Sequence, residues 1–461
     1  MHTKRIFETM KRILLRSCRL ALLGCLLFPI EAFAQEPLTL SQAIQKALGS
    51  SPEAKLAEAG SAEAKAGASL ARAQLLPQIN FAEDISRGDD PVYVFGARLR
   101  QQSFTQADFA VNALNRPLPM GNFATRLSGS WMAFDSFKTQ KTIRSTDLMQ
   151  KSAASSRKAV NQKIVLDVVE AYQAELYAER KVAIAQHEQE TAEVLLASVD
   201  DHVKAGLAVE SDRMSAQVNV AARKQELIAA QGEVELAWAQ LRLAMGAPEL
   251  QQTRLQPIEA HEFPQEALAA EVETATKSRS DLTALGQAQS AQAAALSAAK
   301  LDFGPRVSAY GNWEQDRSSF AGSGGNNWVA GVQIGIDITP FSKRAQLAQQ
   351  TAAKARVDAQ VSAYQQQIRL QVTQAHIQRQ TTQQSLETAQ AALDQSAESL
   401  RILKNRYGAG LATITDLLRA EDSERQSQTN YWHAVYGNAV AYTQLLFATG
   451  TLTPDAAEGL Q

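Results

Sequence analysis

The stretch YGAGLATITD, residues 407–416, interrupts a long helix-forming region with Gly408 and Gly410, then places Thr413 and, three residues on, Asp416. Nearly the same string, KAGLAVESD, occupies residues 204–212. A shift of 204 lays AGLAVESDRMSA (205–216) on AGLATITDLLRA (409–420), IVLDVVEAY (164–172) on IRLQVTQAH (368–376), and QLRLAMG (240–246) on QLLFATG (444–450). Self-similarity at a fixed shift is the mark of a duplicated structural unit. Further upstream, LLPQI (75–79) matches FGPRV (303–307) at a shift of 228, so the first copy carries 24 extra residues (228 minus 204), around Asp89 to Phe123.

Each copy reads helix, strand pair, long helix, break, helix. Thr39 to Leu76 and Gln265 to Leu301 are rich in Ala, Leu, Gln and Glu and predict helices ending before Pro77 and Pro305. No proline lies between Pro119 and Pro248, nor between Pro340 and Pro454, as uninterrupted helices require. Val160, Ile164 and Val168, and Ile368 and Val372 in the second copy, recur at helical spacing. A continuous helix from Phe137 to Lys204 would be roughly 100 Å long at about 1.5 Å per residue. Coils of that length suit paired hairpins packed as coiled coils. Gly206 and Gly410 each end such a helix, where a residue at positive φ closes the last turn at least cost.

The segments after Pro77 and Pro305 change period. In RVSAYGNWE (306–314), Val307, Ala309 and Trp313 alternate with Ser308, Tyr310, Asn312 and Glu314. In NWVAGVQIGIDI (327–338), Trp328, Ala330, Val332, Ile334, Ile336 and Ile338 oppose Gly331, Gln333, Gly335 and Asp337. The first copy sets Ile79 and Phe81, then Leu127, Trp131 and Ala133, against Arg126, Ser128 and Ser130. Alternation over about ten residues fits a transmembrane β-barrel strand, or a half-buried soluble sheet with one solvated face. The three tryptophans, the N-terminal segment described next and the lack of an apolar run long enough for a spanning helix favour the membrane. Four strands cannot close a barrel, and open edges are not tolerated in hydrocarbon, so further copies must complete the sheet.

The chain opens with a targeting segment: basic Lys11, Arg12, Arg16 and Arg19, apolar Leu20 to Ile30, and a small-residue site at Ala32 to Ala34. Cleavage before Gln35 is expected. The rival reading, a lipobox at Leu22 to Cys25, would leave an apolar core of only Leu20 to Gly24. Cys18 and Cys25 both fall in this segment, so the mature chain is expected to hold no disulfide, thiolate nucleophile or cysteine metal site. A formal net charge of -2 argues against nucleic acid as a partner.

Enzymatic patterns fail residue by residue. HEQET (187–191) has Thr191 where a zinc-protease motif needs its second His, and SSRK (155–158) places Ser-x-x-Lys inside a coil without companion motifs. GSGGNN (322–327) has no Lys and lies between strands, so it reads as a hairpin loop and not a phosphate loop. The histidines are scattered. No catalytic, cofactor-binding or metal-binding residue is assigned.

With this plan assembled, the chain resembles the TolC family of outer-membrane efflux channels over essentially its whole mature length. The resemblance rests on the duplicated AGLA break followed by an Asp, the helix ends LRLAMG and LLFATG, the passages WMAFDS and ITPFS, and DPVYVFGARL (90–99) in the first strand loop. It implies a homotrimer with a twelve-stranded barrel in outer-membrane lipid and a long α-helical coiled-coil tunnel in the periplasm. It also implies a periplasmic adaptor, an inner-membrane pump of RND or ABC type, and no cofactor. The implied function is a passive exit duct of a tripartite efflux or type I secretion system, gated at its periplasmic tip. Tyr407 and Asp416 stand where the family places residues that constrict the tip. Arg419 replaces the family's second acidic residue, against a double acidic ring, and Asp212 is the counterpart of Asp416 in the first copy. Thr413 to Asp416 also fits an approximate capping box, which would satisfy the amides of the helix start without any gate.

The expected organisation is a signal peptide (1–34), a first repeat (35–246, β-hairpin near 78–134), a linker (247–264) that the resemblance puts near the middle of the tunnel, a second repeat (265–450, β-hairpin near 306–338) and a tail (451–461). Two other classes fit the pattern less well. A periplasmic adaptor normally carries one coiled-coil hairpin with flanking β modules, whereas here the whole unit is duplicated. A purely structural barrel has no use for coils of this length.

Overall fold

The computed structural model describes residues 37–257 and 263–458. The signal-peptide reading lies outside the described residues. The chain divides into two units. In the smaller, Leu38 pairs in parallel with Leu255, its amide donating to Arg254 O (2.8 Å) and its carbonyl accepting from Gln256 N (3.0 Å).

The larger unit holds the duplication. Its first copy runs α1 (Leu40–Ser50), α2 (Pro52–Ala73), β1 (Gln78–Gly88), α3 (Pro91–Arg100), α4 (Val111–Asn115), β2 (Met120–Phe134), α5 (Lys138–Lys204) and α6 (Glu210–Ala244). The second runs α7 (Leu268–Ser278), α8 (Ser280–Leu301), β3 (Arg306–Arg317), β4 (Gly324–Gly335), α9 (Pro340–Gly408) and α10 (Ile414–Thr449), with α11 (Pro454–Glu458) after it. The 67-residue α5 and the 69-residue α9 are the long coils, and Ile164, Val168, Ile368 and Val372 are buried. α5 packs on α6 and α9 on α10 as two hairpins, which meet where α10 crosses α5. No described helix is long and apolar enough to cross a membrane.

Two expected helices are broken. Thr39 to Leu76 splits at Ser51, which has extended backbone and caps Ala54 N (3.1 Å) before Pro52 opens α2. Gln265 to Leu301 splits at the corresponding Arg279, also extended (φ -65°, ψ 119°). The breaks are docking points. Gly246 and Gly450, at positive φ, close α6 and α10 against them. A Cβ on Gly246 would lie 2.6 Å from Ser51 Cα, and one on Gly450 2.8 Å from Arg279 Cα. Proline makes the first break, and an ion pair of the buried Arg279 with the half-buried Asp281 holds the second. Arg279 grips both Asp281 oxygens (3.0 and 2.6 Å) and donates to Gln371 (2.7 Å) and Ala448 O (3.3 Å), while Tyr364 OH donates to Asp281 (2.7 Å). Burial raises the Asp281 carboxyl, but these hydrogen bonds and the guanidinium charge outweigh it and hold the group below its ordinary value.

The four strands form one antiparallel sheet in the order β1-β2-β3-β4, so β1 and β4 are its edges. The register separates two faces. One carries a row Phe81, Leu127, Trp313 and Trp328, with Ile79, Trp131, Val332 and Ile334 on the side away from the β1–β2 and β3–β4 loops. Trp328 is 77% and Ile334 73% exposed in the single chain. The apolar band stops near the loop end, where Arg317 pairs with Glu83 (3.1 Å) beside Thr125. The other face carries Asn80, Ser128 and Asn312, then Arg126 and Glu314, then Asp84 and Asp316. Twelve residues of β4 reach roughly 40 Å at about 3.3 Å each. Tilted by about 40°, they cover roughly the 30 Å of bilayer hydrocarbon. β4 ends at Gly335 and not at Ile338, because its partner β3 begins at Arg306, opposite Gly335.

Candidate functional site

The turned ends of the two long hairpins carry the residues singled out from the sequence. α5 ends with Gly206 at φ +74° and α9 with Gly410 at φ +70°. Gly206 N donates to Val203 O (3.0 Å) and Leu207 N to His202 O (2.8 Å); Gly410 N donates to Tyr407 O (2.9 Å) and Leu411 N to Arg406 O (2.8 Å). Both are Schellman turns, which need φ > 0 and satisfy carbonyls the helix leaves open.

α10 then starts with a full capping box. Thr413 Oγ1 accepts from Asp416 N (3.2 Å), and Asp416 Oδ2 accepts from Thr413 N (3.2 Å) and Oγ1 (2.7 Å). The Asp416 carboxyl sits below its ordinary value, first through the Thr413 hydroxyl, then the Thr413 amide, with a smaller pull from Arg419 and Arg406. Asp416 and Arg419 are both exposed. The first-copy turn lacks the box, since α6 starts after Val209 and Asp212 makes no side-chain cap.

Tyr407 is different. The last turns of α5 (Leu195, Val199), Ala216 of α6 and the first turns of α10 (Ile414, Leu417) form an apolar cluster, and Tyr407 packs against it half-buried. Its ring lies 6.4 Å from that of His202. Burial raises the Tyr407 hydroxyl, and the Asp212 carboxylate raises it further. The structure therefore packs Tyr407 of one hairpin against the other, within the field of the Asp212 carboxylate, and leaves Asp416 and Arg419 facing solvent.

Sequence reasoning missed a charged seam further along the coils. Glu188 of α5 and Glu421 and Glu424 of α10 are all buried. Arg223 of α6 pairs with Glu226 (2.8 Å) and Asp422 (2.6 Å). Arg425 stands 3.8 Å from Glu226, and Lys404 of α9 stands 4.0 Å from Glu421. Burial, then the charges of Glu424 and Glu421, push the Glu188 carboxyl up, while Arg223 and His187 pull it down less strongly. Burial does the same to Glu421. Acidic residues at helical spacing on an apolar stripe were the available signal. Among the described residues no group of three or more His, Asp and Glu is placed to hold a metal ion.

Duplicated hairpins whose coils join a sheet with one apolar and one wet face are the parts of an outer-membrane channel subunit. The sequence pattern of the family described as "Outer membrane efflux protein" matches residues 43–247 and 272–451, most of both copies. The chain belongs to that family, and is a non-enzymatic outer-membrane efflux channel of the TolC type. No curated protein matches it by sequence. Solved structures share the fold. The Campylobacter jejuni CmeC outer membrane channel has 17% identity and a TM-score of 0.76, with 89% of this chain and 85% of that chain covered. The open state of the Neisseria gonorrhoeae MtrE outer membrane channel has 18% identity and a TM-score of 0.73, covering 90% and 91%. A membrane protein from Pseudomonas aeruginosa has 19% identity and a TM-score of 0.76, covering 89% and 93%.

Proposed function

We propose that three chains join their sheets edge to edge into a twelve-stranded barrel and their coils into a periplasmic tunnel, forming the passive exit duct of a tripartite efflux or type I secretion system. The observation that carries this is the sheet itself: β1 and β4 each pair on one side only, while the face they border exposes Trp, Ile and Val. Unpaired backbone groups in hydrocarbon cost several kcal/mol each, so such a sheet is stable only when closed. A periplasmic adaptor and an inner-membrane pump load the duct, and the pump selects the cargo.

The tip is the gate. Tyr407, packed on the apolar cluster of α5, α6 and α10, joins one hairpin to the other, and Asp416 with Arg419 lines the opening that the three chains form. Mass measurement of the detergent-solubilised protein tests the assembly: a trimer is expected, and a stable monomer overturns the reading.

A further inference from the structure

The 24 extra residues of the first copy leave the coils unlengthened and fold back over one face of the sheet. α3 begins on Asp90, whose carboxylate accepts from Tyr93 N (2.9 Å). Tyr93 OH and Ser86 Oγ of β1 are 3.0 Å apart. Gln101, only 6% exposed, donates through Nε2 to Gly121 O (3.0 Å) and Asn122 Oδ1 (2.8 Å) of β2 and to Arg317 O (3.2 Å) of β3. Asn122 Nδ2 in turn donates to Asp316 Oδ1 (2.6 Å). Arg100 faces Glu314 (3.4 Å), which Arg126 holds from the other side (2.9 Å). On β4, Asn327 Nδ2 donates to Arg100 O (3.3 Å), and a Cβ on Gly325 would collide with that carbonyl.

Ser86, Asn122, Glu314 and Asn327 all belong to the polar face by register. The segment therefore touches every strand on the wet side. It is also an ordered body, with Phe104 edge-on to Phe95 (4.9 Å) and Phe109 (5.0 Å), an Arg98–Asp108 ion pair (2.7 Å) and a Thr105–Asp108 capping box. A tether built only to reach outward would need none of these contacts.

We infer that residues 91–119 form an inward-folded cover over the outer end of the channel, anchored by Arg100 and Gln101, so that the covers of the assembled chains set the widest solute able to leave. This rests on the barrel proposed above, in which the apolar face meets lipid and the wet face therefore lines the lumen. The cover is a specificity element separate from the coil tips, since it acts at the opposite end of each long hairpin and is built from residues that the second copy lacks.

The test places a reporter, Asn80→Cys, on the wet face of β1, further from the loop end than the cover contacts. Intact cells are treated with a small sulfonated maleimide or a polymer-bearing maleimide, with protein lacking the substitution as the background. With the cover intact, the wide probe should label at least about tenfold more slowly than the small one, because it waits for local opening. Arg100→Ser with Gln101→Ala, or replacement of 92–118 by a short glycine-serine turn, should bring the two rates together in protein that still runs as a trimer. Equal rates with the cover intact would overturn the inference. Exclusion of the wide probe that persists in every variant would overturn the role of Arg100 and Gln101. Failure of both probes with the cover removed would instead sink the lumen reading beneath it.

Discussion

Alanine placed at each of the four positive-φ glycines should separate the cost of a left-handed turn from the cost of a close helix contact. Gly206, Gly246, Gly410 and Gly450 have φ of 74°, 62°, 70° and 76°, and each closes a helix with the same Schellman pair of hydrogen bonds. Their surroundings differ. A Cβ at Gly206 or Gly410 meets nothing within 4 Å; at Gly246 it meets Ser51 Cα at 2.6 Å and Ser51 N at 2.8 Å, and at Gly450 it meets Arg279 Cα and N, each at 2.8 Å. The left-handed conformation alone costs a residue with a Cβ about 1–2 kcal/mol. Forcing backbone apart in a packed site adds about 1–3 kcal/mol. Gly206→Ala and Gly410→Ala should therefore lose about 1–2 kcal/mol per chain, and Gly246→Ala and Gly450→Ala about 2–5. Guanidinium unfolding of the solubilised protein followed by helical circular dichroism gives the ranking. Hydrogen exchange at the amides after Ser51 and Arg279 shows whether the loss is local. Gly206→Asn should recover most of the tip loss, because Asn tolerates the left-handed region. Equal losses at all four positions would refute the argument that these breaks are docking points.

Four further outcomes are expected. Asp416→Ala should raise the resting conductance of trimers in planar bilayers, and Asp416→Asn, which keeps an acceptor for the cap but removes the charge, should leak too if the charge holds the gate; tight closure in both would leave Asp416 as a helix cap alone. Asp212→Asn should move the Tyr407 phenol titration to lower pH, since the Asp212 carboxylate now helps to raise it, and an unchanged ultraviolet titration would separate the two residues. The raised Glu188 and Glu421 carboxyls favour the packed coils when protonated, so their contribution is fully present below the ordinary carboxylate pKa and is lost as pH rises through the higher folded values; Glu188→Gln should flatten that acid-side gain in coil stability, and an unaltered pH profile would count against the seam. Asn115→Cys should be labelled from outside intact cells, and labelling only from the periplasm would reverse the assigned topology.

Much of the architecture was legible because it is written in local periodicity. Proline-free runs gave α5, α6, α9 and α10 nearly to their ends, since one interior proline would have cost the helix a hydrogen bond and a clash. Strict alternation gave the four strands and their two faces, because side chains of a strand point to opposite sides in turn. The shifts of 228 and 204 reappear as α1 on α7 and α6 on α10. Thr413 and Asp416 were readable as a cap because a capping box closes within three residues.

What the tertiary structure alone decided lies between residues far apart in the chain. Arg279 breaks a helix with no proline or glycine at that position, because Asp281, Gln371 and the end of α10 hold it extended. Gly246 and Gly450 read as mere helix ends until the fold set them on Ser51 and Arg279. Tyr407 packs on Leu195, Val199 and the start of α10 only because the two hairpins meet, and Asp416, equally prominent as a sequence motif, faces solvent. Residues 91–119 could be recognised as an insertion between strands, but periodicity says nothing of the direction in which an insertion folds. That direction came from Gln101 and Arg100 finding acceptors and a carboxylate on the wet face of β2 and β3, partners that only the assembled sheet places side by side.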